Sequence, residues 1–380
     1  MTLLAYADGA DSPRSAPAVA GGTGGEADRV LLGWTLDERP WLGGTPVRGW
    51  TVMAGYALRG PVDEGRIGYL PIRLSAVPRL LTDTLVPDVA VVTAVRRGSE
   101  LVFGPSVGWG PALARSAASV VVEIDEEGMD LGGPPVPGRI AATVVRPPSP
   151  TAVPQPRRPD DIDALVGRQV ASVLPEGATL QVGPGGIADG VLAAIDRPIS
   201  IASGLVSDAV AELDRRGLLV GAAEAAYAWG GAPLHRLAAE GKLVLRPVEE
   251  THDLTRISAR PRFVACNTAL QVGLDGSVNV EIVSGRRVAG IGGHADFATA
   301  AVRSPGGLSV IALRSTTRRG ASTIVGQVEV VSTPRCDVDM VVTEHGVADL
   351  RGADDGERAA RLIAVAAPEH RRALGAISAG

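Results

Sequence analysis

The stretch TLQVGPGGIADGVLAAI, residues 179–195, reads as a strand, a glycine turn and a helix. TLQV is a short apolar run. Gly183, Pro184, Gly185 and Gly186 punctuate it, and IADGVLAAI continues as a helix. A strand feeding a helix through a tight turn is the building unit of a parallel α/β sheet. The pattern repeats outward. ISIA (199–202) is a second strand, and SDAVAELDRRG (207–217) is a helix closed by a glycine. Upstream, ALVGRQVASVL (164–174) is helical by period. Downstream, VACNTALQV (264–272), SVNVEIV (277–283), LSVIAL (308–313), STIVGQVEVV (322–331) and DMVVT (339–343) read as strands, and GERAARLIAVAA (356–367) reads as a helix. In the first half, DVAVVTAV (88–95) and SVVVEID (119–125) are near-continuous apolar runs, as in strands covered on both faces. GWGPALARSA (108–117) lies between them as a helix. The fold class predicted is α/β with mainly parallel sheets.

The 380 residues suffice for two domains. Residues 1–30 are small and polar over much of their length and are predicted to be flexible. The proline-dense run at 147–160 is predicted to be a linker. It separates an N-terminal α/β domain at 31–146 from a C-terminal one at 161–380. A net charge of −5 leaves no basic excess to neutralise phosphates, so a nucleic-acid partner is not expected. Two cysteines, Cys266 and Cys336, and five scattered histidines offer no metal-ligand spacing, and no metal is expected. The first residues lack a basic start and a long apolar core, and no apolar run reaches the ~20 residues of a membrane span. A cytoplasmic location without membrane contact is the expectation.

Three glycine turns follow predicted strands. Gly183, Gly185 and Gly186 lead into a helix N-terminus, which offers N–H groups to an anion or a carbonyl oxygen; the plain alternative is a tight βα turn. Gly290, Gly292 and Gly293 allow close backbone approach to a ligand; His294 is a candidate base and Asp296 a candidate helix cap. Glu344, His345 and Gly346 stand at the end of a strand, where open α/β sheets place their ligands; Glu344 is either a working carboxylate or a helix cap. Arg314, Arg318 and Arg319 are either phosphate ligands or a solvated loop. Trp109 lines a pocket or packs in the core, and Cys266 reads as a buried structural thiol.

Taken in order, TLQVGPGGIADGVLAAI, NTALQVGLDGSVN (267–279), GIGGHADF (290–297) and VVSTPRCDVDMVVTEHGVADLRG (330–352) resemble the acetyl-CoA hydrolase/transferase family, which includes 4-hydroxybutyrate, succinate and acetate CoA-transferases. The likeness runs on through ERAARLIAVAAPEHRR (357–372) and, more faintly, back to residue 61. It implies two related open α/β domains of the CoA-transferase type with the site between them. It implies acyl-CoA as substrate, a carboxylic acid or other acyl acceptor as second substrate, and a homodimer. The family's chemistry is a two-step exchange in which a glutamate carboxylate attacks the thioester and a glutamyl-CoA intermediate follows. The turns at Gly292–Gly293 and at Gly346 would place backbone close to the thioester.

The family places its catalytic glutamate in a segment of the type N-(S/T)-A-(L/I)-E, followed by an acidic residue two positions on. Here these positions are Gln271 and Gly273. A carboxamide is neutral and a poor nucleophile, so it forms no glutamyl-CoA. Ala76 stands where many relatives carry glutamate. Acyl-CoA hydrolysis, or acyl or CoA transfer by a route without glutamyl-CoA, is therefore the expected activity, with Glu344, Glu281, Asp296 and His294 as candidate general bases. A catalytically silent acyl-CoA-binding homologue, or an active-site variant of an ordinary CoA-transferase, stays open beside it.

Overall fold

The computed structural model describes residues 2–16, 29–43, 48–147 and 158–378. The chain forms two compact units. The first comprises Met1–Gln155, Glu224–His252 and Arg286–Gly292; the second comprises Pro156–Ala223, Asp253–Gly285 and Gly293–Gly380.

The first unit is built on β1 (Leu3–Tyr6), β2 (Arg29–Leu32), β3 (Arg48–Thr51), β4 (Ile67–Tyr69), β5 (Val89–Arg97), β6 (Glu100–Val102), β7 (Ser119–Ile124) and β8 (Ile140–Val145). The sheet order is β4-β3-β2-β1-β5-β7-β8, all parallel, with β6 folded back antiparallel on β5. Short helices accompany it, among them α1 (Arg59–Asp63), α2 (Val77–Asp83) and α3 (Gly110–Ser116). β1 corrects the expectation of a flexible start. Leu3, Leu4, Ala5 and Tyr6 are all buried, paired with β2 on one side and β5 on the other. Four apolar residues suffice for a central strand covered on both faces. Residues 17–28 of the expected flexible segment, and 148–157 of the expected linker, lie outside the described residues. Trp109 is core, with only 1% of its surface exposed.

The second unit begins with α4 (Asp161–Val173), which opens with a reciprocal capping box between Asp160 and Asp163. β9 (Thr179–Val182), α5 (Gly186–Ala194), β10 (Ser200–Ile201) and α6 (Asp208–Arg215) follow as read from the sequence. Next come β11 (Phe263–Thr268), β12 (Gln271–Gly273), β13 (Val278–Asn279), α7 (His294–Arg303), β14 (Leu308–Ala312), β15 (Ile324–Val325), β16 (Met340–Thr343), β17 (Gly346–Asp349), α8 (Asp355–Val365) and α9 (Pro368–Ser378). The main sheet runs β10-β9-β11-β14-β16-β17, parallel except for the closing hairpin β16–β17. A small sheet of β13, β12 and β15 joins one core with α8 and α9. Val272, Val278, Ile311, Ile324, Leu350 and Leu362 are fully buried in it.

Three predicted strands are broken or shortened. VACNTALQV divides into β11 and β12, the second pairing with β13 and β15 instead of the main sheet. SVNVEIV is interrupted after Asn279, because the Asn279 side-chain oxygen accepts the N–H groups of Glu281 and Ile282 and turns the chain; strand resumes only at Ile282–Val283, in a separate two-stranded sheet. Of STIVGQVEVV, only Ile324–Val325 forms a strand.

Candidate active site

The strand order of the second unit reverses between β9 and β11: from β9 the chain steps out to β10, and it returns on β9's other side as β11. Ligands of open α/β sheets bind outside the carboxyl ends of the strands at such a reversal. Register pairs Cys266 with Val182, so Gly183 and Asn267 are the next residues on adjacent chains. The first glycine turn and the segment carrying Gln271 therefore leave the sheet together. Along the same edge follow Arg314 and Ser315 beyond β14, then Glu344 beyond β16. Three strand spacings separate the ends of β9 and β16, about 15 Å.

The turn into α5 is shaped by its glycines. Gly185 is the N-cap at φ +131°, a conformation that side chains rarely adopt, and a Cβ there would meet nothing within 4 Å. Gly186 lies so close to α4 that a Cβ would fall 2.3 Å from Asp163 Oδ2. Gly183 faces open space. Gly185→Ala is therefore expected to destabilise by about 1–3 kcal/mol through backbone strain alone. Gly183→Ala should stay within about 0.5 kcal/mol. Denaturant midpoints of the two variants check the contrast; equal midpoints would contradict it.

Gln271 opens β12 opposite Asn279 of β13. Asn279 is fully buried. Its Oδ1 accepts from the N–H groups of Glu281 (2.9 Å) and Ile282 (3.1 Å). Its Nδ2 donates to Ile282 O (2.6 Å) and Gln271 Oε1 (2.9 Å). Both ends of the Asn279 amide are thereby assigned, and they assign Gln271 in turn: Oε1 faces Asn279, and Nε2 meets no acceptor among the described residues. The outward atom at this position is a hydrogen-bond donor.

The second glycine turn is divided between the units. Gly290 and Gly292 belong to the first, and Gly293, His294 and Asp296 to the second. In the first unit, Gly290 N–H donates to Met53 Sδ (3.2 Å) and Ile291 N–H to Tyr69 Oη (3.1 Å). A Cβ on Gly290 would lie 2.7 Å from Val52 O, and Gly292 has φ +58°. In the second unit, Gly293 is the N-cap of α7. Asp296 is not the N-cap expected from sequence; it is the third residue of the helix, within its first turn, and completely buried. His294 Nδ1 and Thr333 Oγ1 share a hydrogen bond of 2.8 Å. His294 Nε2 is shielded and meets no hydrogen-bond partner among the described residues. Burial lowers the imidazole pKa to about 4, so the ring is neutral at pH 7. Asn267 Nδ2 donates to His294 O (3.3 Å), tying this helix start to the end of β11.

At the third turn, no helix follows Glu344. The turn joins β16 to β17, with Gly346 at φ +135°, so the helix-cap alternative falls. The Glu344 carboxylate accepts from Ser315 N–H (2.9 Å) and Ser315 Oγ (2.6 Å), with His345 Nε2 3.8 Å away. Glu281 is buried and accepts from Ser332 Oγ (2.7 Å). Arg314 is neither a free phosphate ligand nor a solvated residue. Its guanidinium bridges Asp163 (2.6 Å) and Asp160 (2.7 Å). Arg318 and Arg319 are exposed. Burial drives the Cys266 thiol up to about 12, which leaves it inert. Sequence reasoning missed Asn279 and Ser315, the residues that orient Gln271 and Glu344. The recurrence of an amide eight residues after Gln271, across a turn, is the signal for the first.

Comparison with known proteins places this geometry. Models of the acetyl-CoA hydrolase/transferase N-terminal and C-terminal domains match residues 45–133 and 234–377. The 4-hydroxybutyrate coenzyme A transferase of Clostridium kluyveri is 30% identical over 342 residues, covering 85% of this chain and 80% of the relative. The chain belongs to the acetyl-CoA hydrolase/transferase family. A crystal structure of 4-hydroxybutyrate CoA-transferase from Porphyromonas gingivalis superposes on this family member with a TM-score of 0.76 at 26% identity, covering 99% of this chain and 92% of the other. RipA from Yersinia pestis shares the fold, with a TM-score of 0.86 at 24% identity over 100% and 93% of the two chains. The acetyl-CoA hydrolase/transferase family comprises CoA-transferases and acetyl-CoA hydrolases, and this member has the α/β fold of both solved structures. Among the described residues, no helix is long and apolar enough to cross a membrane.

Proposed function

We propose that this family member cleaves or transfers the acyl group of an acyl-CoA thioester without forming a glutamyl-CoA intermediate. The orientation of Gln271 carries the reading. Its oxygen is engaged by Asn279, and the amide nitrogen that remains has its lone pair delocalised into the carbonyl. It offers N–H to a thioester oxygen and has no electron pair for attack. A neutral donor there stabilises the oxyanion of a tetrahedral intermediate.

In the hydrolytic form, water attacks the thioester carbonyl and Glu344 takes its proton. The C–S bond then breaks, and the CoA thiolate leaves and is protonated. Among the candidate bases, Glu281 and Asp296 are buried and the His294 ring holds its proton too weakly, whereas Glu344 stands at the carboxyl edge of the sheet. Each of its two oxygens carries one hydrogen bond, which fixes the carboxylate while leaving further lone pairs for a water. Transfer replaces the water by another acyl acceptor. Association as a homodimer in the cytoplasm is proposed on the family likeness, and light scattering of the purified protein tests the dimer.

The test is release of free thiol from short-chain, branched and aromatic acyl-CoAs by the purified protein, with and without acceptors. Thiol release is expected with at least one of them. Glu344→Gln should lower it about a hundredfold at an unchanged unfolding midpoint. Undiminished release in that variant would remove Glu344 from the mechanism. Calorimetric binding of acyl-CoA with no release across the series would replace the reading by a silent binding homologue.

A further inference from the structure

We propose that the cavity between Pro40 and helix α1 in the first unit binds the oxyanion group of a small molecule, a carboxylate or a phosphate. The proposal is independent of the acyl-CoA reading. The cavity measures about 570 Å³, within the range of small-molecule pockets, and four arginines line it: Arg39, Arg59, Arg66 and Arg286. Two are already neutralised. Arg286 pairs with Asp63 at 2.7 Å and Arg66 with Glu64 at 2.6 Å.

Arg39 is the unusual one. It is only 7% exposed, and its guanidinium donates to neutral or backbone oxygens: Ser12 Oγ (2.9 Å), Pro13 O (2.6 Å), Thr35 Oγ1 (3.0 Å) and Asp37 O (3.4 Å). Among the described residues no carboxylate reaches ion-pair distance of it, and its Nε finds no acceptor. Asp37 and Glu123 act on it only from further off, and burial still lowers its pKa to about 10. Buried charges are ordinarily paired at contact distance, and Arg39 lines the cavity without such a partner among the described residues, so its positive field favours an anion there.

Two rim features define what that anion belongs to. Arg59 is exposed on α1 without an ion partner among the described residues, so a guanidinium fork is available to an oxyanion. Tyr56 is 50% exposed at φ +54°, a conformation uncommon for a residue with a bulky side chain. Its ring lies against Trp34 (5.5 Å) and Trp229 (6.4 Å), giving an aromatic wall to a planar ligand body. Glu38, also exposed and lining the cavity, repels a second negative charge. The ligand class is a small molecule that carries one oxyanion group on a planar body.

Isothermal titration of the full chain with benzoate and with inorganic phosphate, at low ionic strength against a chloride control, tests the site. Saturable binding of at least one is expected, weakened about tenfold in Arg59→Ala and strengthened in Glu38→Ala. Both side chains are exposed, so neither change threatens the fold. Tighter benzoate binding assigns a carboxylate ligand, and tighter phosphate binding a phosphate one. Heats no larger than the chloride control overturn the proposal, as does saturable binding that Arg59→Ala leaves unchanged.

Discussion

Gln271→Glu is expected to open a carboxylate-dependent CoA exchange, raising acetate-dependent exchange by about a thousandfold or more over the chain with Gln271, the scale set by supplying a covalent nucleophile. The geometry already accommodates the change. Asn279 Nδ2 donates to Gln271 Oε1 at 2.9 Å and would donate to a carboxylate oxygen in the same place. The second oxygen then replaces Nε2 at the outward position, as an acceptor instead of a donor. It can attack the thioester carbonyl, expel the CoA thiolate and form an anhydride. The thiolate then attacks the glutamyl carbonyl, giving glutamyl-CoA and free acid. Intact-mass measurement after mixing with acyl-CoA reads the adduct directly, and exchange of labelled acetate reads the turnover.

Three outcomes separate the ideas. An adduct with rapid exchange in the variant, and neither in the natural chain, supports a route changed at one residue. An adduct without exchange places a second change in the acceptor pocket. Equal exchange in both proteins would show that the nucleophile is some other group, and the proposed route would fail.

What the sequence discloses here depends on how far apart the interacting residues lie. β9, its glycine turn and α5 are legible because punctuation and period are local. β1 is not. LLAY is four residues long, and its identity as a central strand depends on pairing with residues 29–32 and 89–91. The motif marks Gln271, yet which atom of its amide faces outward follows only from the cross-turn hydrogen bonds of Asn279. Arg314 looks like a phosphate ligand until Asp160 and Asp163, some 150 residues earlier, are found against it. In each case the residue type is visible locally and its electrostatic state is set by a distant partner.

A partnership across 219 residues yields the second large effect, in the first unit. Asp8 follows β1 and is 3% exposed; it accepts from Tyr227 Oη at 2.5 Å and from Trp109 N–H at 3.4 Å. Burial raises its carboxyl from 3.8 to about 7, against the lowering effect of both hydrogen bonds, and half-buried Asp11 adds like charge. The folded state thus binds a proton more firmly than the unfolded state does. Between about pH 4 and pH 7 the folded chain holds more protons, so its stability falls as pH rises through that window and levels off above it. Asp8→Asn removes the titration while keeping an oxygen to accept from Tyr227. Its stabilisation should be about 1 kcal/mol at pH 4.5 and grow to as much as about 4 kcal/mol at pH 8, where the shift of roughly three pKa units at ~1.4 kcal/mol each is fully expressed. Asp11, whose carboxyl burial also raises, titrates in both proteins, so its share largely cancels in the difference. All five tryptophans (Trp34, Trp41, Trp50, Trp109 and Trp229) lie in the first unit, so their fluorescence during urea unfolding follows that unit alone. A difference between variant and natural chain that is the same at pH 4.5 and pH 8 would mean that Asp8 is ionised across the whole range, with the Tyr227 hydrogen bond outweighing its burial.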